Sequence, residues 1–307
     1  MSASFTPAAS AAVAPDVEAA GVSCKVNHIV YNRYESCAVG DVTLTLLRNG
    51  RPVGSAKFKI TNHMTLQNKK VKWSETTSVS KATLVNASGI RVSLGVKCGG
   101  KCTAKSKFPG GTLGGSAING KVDYSSSVAK QKQDTTTAQY TFTFTKAGYT
   151  PATVRYGSLR MRCDDTFWNR ANTARTLSPG CVHPAFTPTM TTMATLPEIA
   201  RNIRDVQSRG RHLGVPGGAV IRREAREANI TANRNAVCPR GQVPPRPGLS
   251  CDEYPFASTL EGGHHVPPSS RGTRWVPASE QNKQGGRIQT FHKKERVVHG
   301  DGFWVKV

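Results

Sequence analysis

Between Cys24 and Cys163 apolar and polar residues alternate with a period of two, and that pattern restricts this stretch to β-strands. Val42-Thr-Leu-Thr-Leu46, Ile90-Arg-Val-Ser-Leu-Gly-Val96 and Tyr140-Thr-Phe-Thr-Phe144 each gather their apolar side chains on one face. Leu159-Arg-Met-Arg-Cys163 predicts Leu, Met and Cys on one face and both arginines on the other. Asn49-Gly50 between apolar runs is a hairpin signal. Gly- and Ser-rich stretches such as GGKCTAKSKFPGGTLGGS read as loops. Residues 24–165 are therefore expected to form an all-β antiparallel sandwich, and they contain no catalytic constellation.

Eight cysteines run along the chain, at 24, 37, 98, 102, 163, 181, 238 and 251. An even number, widely spread, points to disulfides and an oxidising compartment, hence to a secreted protein. Pairing of sequence neighbours is the simplest arrangement. Cys98-Gly-Gly-Lys-Cys102 lacks the second ligand pair of a zinc finger. No apolar run is long enough to span a bilayer. Residues 1–23, Ala-rich and without a basic n-region, are expected to be a disordered lead.

The chain holds 42 Lys+Arg against 19 Asp+Glu, a formal charge of +23. Such a charge implies a polyanionic partner: nucleic acid, anionic lipid or an anionic cell-wall polymer. The excess is not confined to one end. Residues 190–307 hold 18 Lys+Arg and 10 Asp+Glu, leaving 24 and 9 for the rest.

Residues 166–195 change character. HPAFTPTMTTMATLP is rich in Thr and Pro and reads as a linker. From Leu196 the period becomes helical: Ile199, Ile203 and Val206 recur at spacings of four and three, with Gly210 as a stop signal. A second helix is expected from Ala219 to about Asn233, carrying Arg222, Arg223 and Arg226. These arginines are either a solvated face or contacts to DNA.

Against this basic background, CDEYPFASTLEGG at 251–263 concentrates three carboxylates. A nuclease needs cations to bind its polyanionic substrate. It commonly also needs a hard divalent cation held by carboxylates, because charge builds up on the phosphate and leaving oxygens. The plainer reading makes Asp252 and Glu253 turn or cap residues.

The wider pattern bears on that choice. CDEYPFAST, then Glu261-Gly-Gly263, then Glu280-Gln-Asn-Lys-Gln-Gly-Gly286, then Gly300-Asp-Gly-Phe-Trp-Val305 resembles the NucA/NucB-type deoxyribonuclease domain of secreted actinobacterial proteins. LPEIARNIRDVQSRG and ITANRNAVCP upstream fit as well, so the resemblance runs from about Leu196 to Val307. It implies a small α+β domain over 196–307 that cleaves DNA endonucleolytically with Mg²⁺ or Mn²⁺. By the same resemblance Asp252 is general base or metal ligand, with Glu253 beside it. Glu261 is the second carboxylate, with Glu280 its rival, and Asn282 is a metal ligand ahead of a glycine turn at Gly285 and Gly286 that lets backbone approach phosphate.

A disulfide between Cys238 and Cys251 is expected to fix the strand carrying Asp252. Arg222, Arg223, Arg287, Lys293 and Lys294 are the expected DNA contacts. His264, His265, His292 and His299 are weaker candidates for a base, and Trp275 and Trp304 are expected in the core. The function that follows is a secreted, metal-dependent DNA endonuclease, with a proteinaceous inhibitor as a further partner. The alternative is a non-catalytic polyanion- or wall-binding protein with a degenerate nuclease domain.

Overall fold

The computed structural model describes residues 1–5, 9–12, 21–239, 241–242, 244–245 and 247–307. The chain is mostly β with few helices. Contacts divide it into two compact units, Met1–Trp168 with Ala174–Phe186, and Asn169–Thr173 with Thr187–Val307.

In the first unit, Glu35–Arg48 and Arg51–Thr65 form a long antiparallel hairpin that turns at Asn49-Gly50, both at positive φ. This hairpin belongs to a nine-stranded sheet. A four-stranded sheet carries Arg91–Cys98, Ala138–Lys146 and Tyr149–Gly157. Val42, Leu44, Leu46 and Phe58 from the first sheet share one core with Val92, Phe142, Phe144 and Val154 from the second. The rings of Phe58 and Phe144 lie 5.4 Å apart. Alternation does not hold at Met161–Asp164, where all four residues are buried. Arg162 does not face solvent as expected. This strand is paired on both sides, by Gln133–Thr136 and Gly180–Val182.

Two segments depart from the expected organisation. The lead is not unstructured where it is described: Ser2–Phe5 pairs antiparallel with Glu35–Arg48, and Ala9–Ala12 pairs parallel with His28–Tyr31. A free strand edge binds backbone whatever the side chains are. Residues 6–8 and 13–20 of that lead lie outside the described residues. Residues 166–195 do not behave as a linker throughout. Gly180–Val182 is a sheet strand tied by Cys163–Cys181, and Thr189–Met190 joins the second unit's sheet. Gly180 is a close-approach position, since a Cβ there would lie 2.0 Å from the Asn68 carbonyl oxygen.

The four disulfides pair sequence neighbours: Cys24–Cys37, Cys98–Cys102, Cys163–Cys181 and Cys238–Cys251.

Among its described residues the second unit holds three α-helices: α1 (Pro197–Gln207), α2 (Glu227–Val237) and α3 (Ala278–Lys294). Gly302–Val305 pairs with Thr189–Met190 and with Ile221–Arg222. The strands Leu249–Tyr254 and Gly272–Pro277 form a hairpin. Ile199, Ile203 and Val206 of α1, Ile288 and Phe291 of α3, and Tyr254, Val276 and Phe303 build one core.

The second helix begins later than predicted because Ile221–Arg222 is drawn into pairing with the terminal strand. Trp275 and Trp304 are half-buried rather than core residues. Trp304 Nε1 donates to the Gly218 carbonyl. Gly285 and Gly286 lie inside α3 rather than in a turn. The buried stripe of Gln284, Ile288, Phe291 and His292 recurs at helical spacing, and its burial outweighs the propensity cost of about 1 kcal/mol per glycine.

Glu75 is buried in the first unit, where it accepts hydrogen bonds from Tyr124 at 2.6 Å and Tyr140 at 2.8 Å. Burial pushes its carboxyl up to about 7 from an ordinary 4.5. The unfolded chain therefore loses this proton at lower pH than the folded chain. The associated stability is fully present below about pH 4.5 and is lost as pH rises through about 7, a difference of roughly 3 kcal/mol. Glu75→Gln is expected to remove that decline. Urea midpoints of wild type and variant should diverge in the variant's favour as pH rises, and parallel curves would contradict the assignment.

The glycine pair gives a second expectation. A Cβ added at Gly285 or Gly286 meets nothing within 4 Å. Each Gly→Ala change should therefore raise stability by roughly 0.5–1 kcal/mol. A lowered melting temperature in either variant would count against a continuous α3.

Candidate active site

Strand alternation sends Asp252 and Glu253 to opposite faces of the same hairpin. Asp252 is fully buried on the side of α1 and α3. Its Oδ2 accepts a hydrogen bond from Asn202 Nδ2 of α1, and its Oδ1 accepts one from Gln284 Nε2 of α3, each at 2.8 Å. Burial pushes its carboxyl up to about 6, against the opposing pull of the two amides and of Arg234. Arg274 stands opposite Asp252 in the hairpin register and pairs with Glu198 and Asp205 of α1.

Glu253 faces the other way and is only 4% exposed. Its Oε1 accepts a hydrogen bond from Arg234 Nη2 of α2 at 3.1 Å, while Oε2 has no hydrogen-bond partner. Burial pushes this carboxyl up to about 7, while Arg234 and the backbone N–H of Ala257 work in the opposite direction. Glu253 lines a cleft of about 320 Å³, together with Val237, His264, Arg271 and Thr273. A buried carboxyl pushed upward, on a residue that lines a cleft with a basic side chain, is a candidate functional group.

The other expected site residues do not converge there. Glu261 is buried, but its Oε1 accepts from Arg222 Nε at 2.8 Å and its Oε2 from the Arg222 backbone N–H at 2.7 Å. A buried carboxylate needs such a partner, and here the expected second catalytic carboxylate is neutralised by an expected DNA contact. Glu280 accepts from the backbone N–H groups of Glu198 and Ile199, at 3.1 and 3.2 Å, and so caps α1. Asn282 is exposed on α3. Two helix positions amount to a turn of about 200°, so when Gln284 meets Asp252, Asn282 faces away. The expected metal pair of Asp252 and Asn282 is therefore not assembled.

Arg223 donates to the Val297 carbonyl, and Arg287 to Thr192 and Thr195. Lys294 pairs with Glu295. Lys293 is half-buried. Arg226 is bound to Glu224. Among the histidines, His264 lines the cleft and His265 is exposed. His292 is buried against Phe291 and Phe303, and burial holds its ring well below the usual range. His299 lies 3.2 Å from Glu224.

Sequence reasoning missed Asn202, Gln284 and Arg234. A signal was present for the first two, since each is a polar residue inside the apolar stripe of its helix. Arg234 offered none, because it lies on a helix with no apolar stripe.

The resemblance read from the sequence implies a divalent metal. Among the described residues, no three His, Cys, Asp or Glu side chains are grouped to hold one. A hard cation such as Mg²⁺, however, is often held by one or two carboxylates, with waters and substrate phosphate completing the shell. Glu253, which lines the cleft, is the candidate for that role, whereas Asp252 is fully buried and each of its oxygens accepts a hydrogen bond from an amide.

Among curated proteins none matches the chain. Residues 216–306 match the family model described as Deoxyribonuclease NucA/NucB. The match takes in α2, the Asp252–Glu253 hairpin, α3 and the terminal strand, and begins after α1, which the sequence resemblance had included. The similarity to this family lies in the C-terminal part of the chain.

Proposed function

We propose that the protein is a secreted, divalent-metal-dependent endonuclease that hydrolyses DNA phosphodiester bonds in the cleft beside Glu253, and that its N-terminal β-sandwich is a separate domain. A nuclease domain implies DNA as substrate. The observation that carries the placement of the chemistry is that the buried Glu253 lines one cleft with Arg271 and His264. Four disulfides fit an extracellular protein, and no helix among the described residues is long and apolar enough to cross a membrane. A wall polymer and a proteinaceous inhibitor find no comparable support.

Glu253 would hold the cation, Mg²⁺ or Mn²⁺. When bound, such a cation neutralises charge on the phosphate and makes water more acidic. The chain's own groups supply the rest. Arg271, anchored through Nη1 on the Val266 carbonyl, brings positive charge to the phosphate. Asp252, held between two helices by amides, fixes the strand on which Glu253 rides.

The test is nicking of supercoiled plasmid by the full chain. Cleavage should stop with EDTA and return with excess Mg²⁺. Glu253→Gln should lower the rate by about 10²–10⁴ with the fold intact. Asp252→Asn should instead destabilise by roughly 1–3 kcal/mol, because an amide NH₂ replaces one acceptor. A folded, inactive Asp252→Asn beside an active Glu253→Gln would move the chemistry to the other face of the hairpin. DNA binding without cleavage under any cation would favour the degenerate-domain alternative.

A further inference from the structure

Helix α2 has an unusual composition for an element of this unit. Asn233 is its one buried residue, so apolar packing does not hold it in place. Three other attachments do. Asn233 Nδ2 donates to the carbonyls of Ala257 at 2.9 Å and Thr259 at 3.0 Å. Gly262 and Gly263 let their loop close on the helix, since a Cβ on Gly263 would lie 2.9 Å from Asn233 Cα. Cys238, directly after the helix, is bonded to Cys251, two residues before Glu253. The same helix carries Arg234, half-exposed, whose Nη2 lies 3.1 Å from Glu253 Oε1.

We propose that Arg234 is a positioning residue for the hydrolytic site, and that α2 with its disulfide is the mount that holds it. The inference rests on the reading of the Glu253 cleft given above. Nη2 engages Oε1, and this charge-assisted hydrogen bond restrains the orientation of the carboxylate of a residue that lines the cleft. The disulfide connects the end of the helix that carries the arginine to the strand that carries the glutamate. It sets the spacing of the two by covalent means, where apolar burial is lacking.

The experiment compares Arg234→Gln, Arg234→Lys and the double variant Cys238→Ala/Cys251→Ala with Glu253→Gln in the full chain. Plasmid nicking gives kcat and KM. Fluorescence anisotropy of a labelled duplex in EDTA gives binding without catalysis. Arg234→Gln should lower kcat about 10²-fold with KM within about threefold and duplex affinity unchanged. Arg234→Lys, which retains a donor and the charge, should recover at least about tenfold of that loss. The double cysteine variant should also lose kcat rather than affinity. The inference is overturned by a wild-type kcat in Arg234→Gln, by a loss confined to KM and affinity, or by a lysine variant no better than glutamine. If Arg234→Gln fails to fold, the lysine and cysteine variants still decide, and wild-type kcat in both overturns it. Full activity of Glu253→Gln would bring down the reading of the cleft as well. An inactive Glu253→Gln beside a fully active Arg234→Gln would bring down this inference alone.

Discussion

Two adjacent carboxylates on one strand cannot both be buried unless each finds its own compensation. Alternation gives them different surroundings, and the second unit is arranged around those two demands. Asp252 is met by amides from α1 and α3, which draws both helices onto one face of the hairpin. Glu253 is met by a guanidinium from α2 on the other face. Neither solution is complete. Amides do not neutralise a charge, and Arg234 satisfies one oxygen of two. Both carboxyls are therefore pushed upward by burial, to about 6 and about 7. A buried oxygen left unsatisfied is costly to stability, and such costs are found where function requires them.

The remaining carboxylates of the motif region follow the same electrostatic rule with another outcome. Glu261 and Glu280 each take the nearest strong donors, an arginine and a helix N-terminus, and are used in holding the fold. Among the acidic groups described in the domain, Glu253 lines the cleft. The basic residues divide likewise. Arg222, Arg223, Arg226 and Arg287 serve carboxylates and carbonyls within the unit, whereas Arg271 lines the cleft.

Much of this was legible in the sequence where a local rule decides. The period-two runs around Val42, Val92 and Phe142, the Asn49-Gly50 hairpin, the Ile199–Ile203–Val206 stripe and the Cys238–Cys251 bridge all follow from chemistry within a few residues. The motif run also marked the strand with Asp252 and Glu253. What the sequence did not reveal depends on long-range partners. Which arginine Glu253 and Glu261 each meet depends on how distant segments fold back on them. Gly285-Gly286 resembled a turn, because local propensity does not register the burial of Ile288 and Phe291 that keeps α3 continuous. The strand at Gly180–Val182 was hidden in a Thr- and Pro-rich stretch, since a disulfide and backbone pairing recruit it rather than its side chains.

The central claim is that hydrolysis takes place on the Glu253 face of the hairpin. It is tested most directly by soaking crystals of the protein with Mn²⁺ and a phosphorothioate dinucleotide, and locating the metal by its anomalous scattering. The account predicts Mn²⁺ within coordination distance of Glu253 Oε2, with a phosphate oxygen of the dinucleotide completing its shell beside Arg271. Mn²⁺ bound instead between Asp252 and α3, with the Glu253 cleft empty, would contradict it.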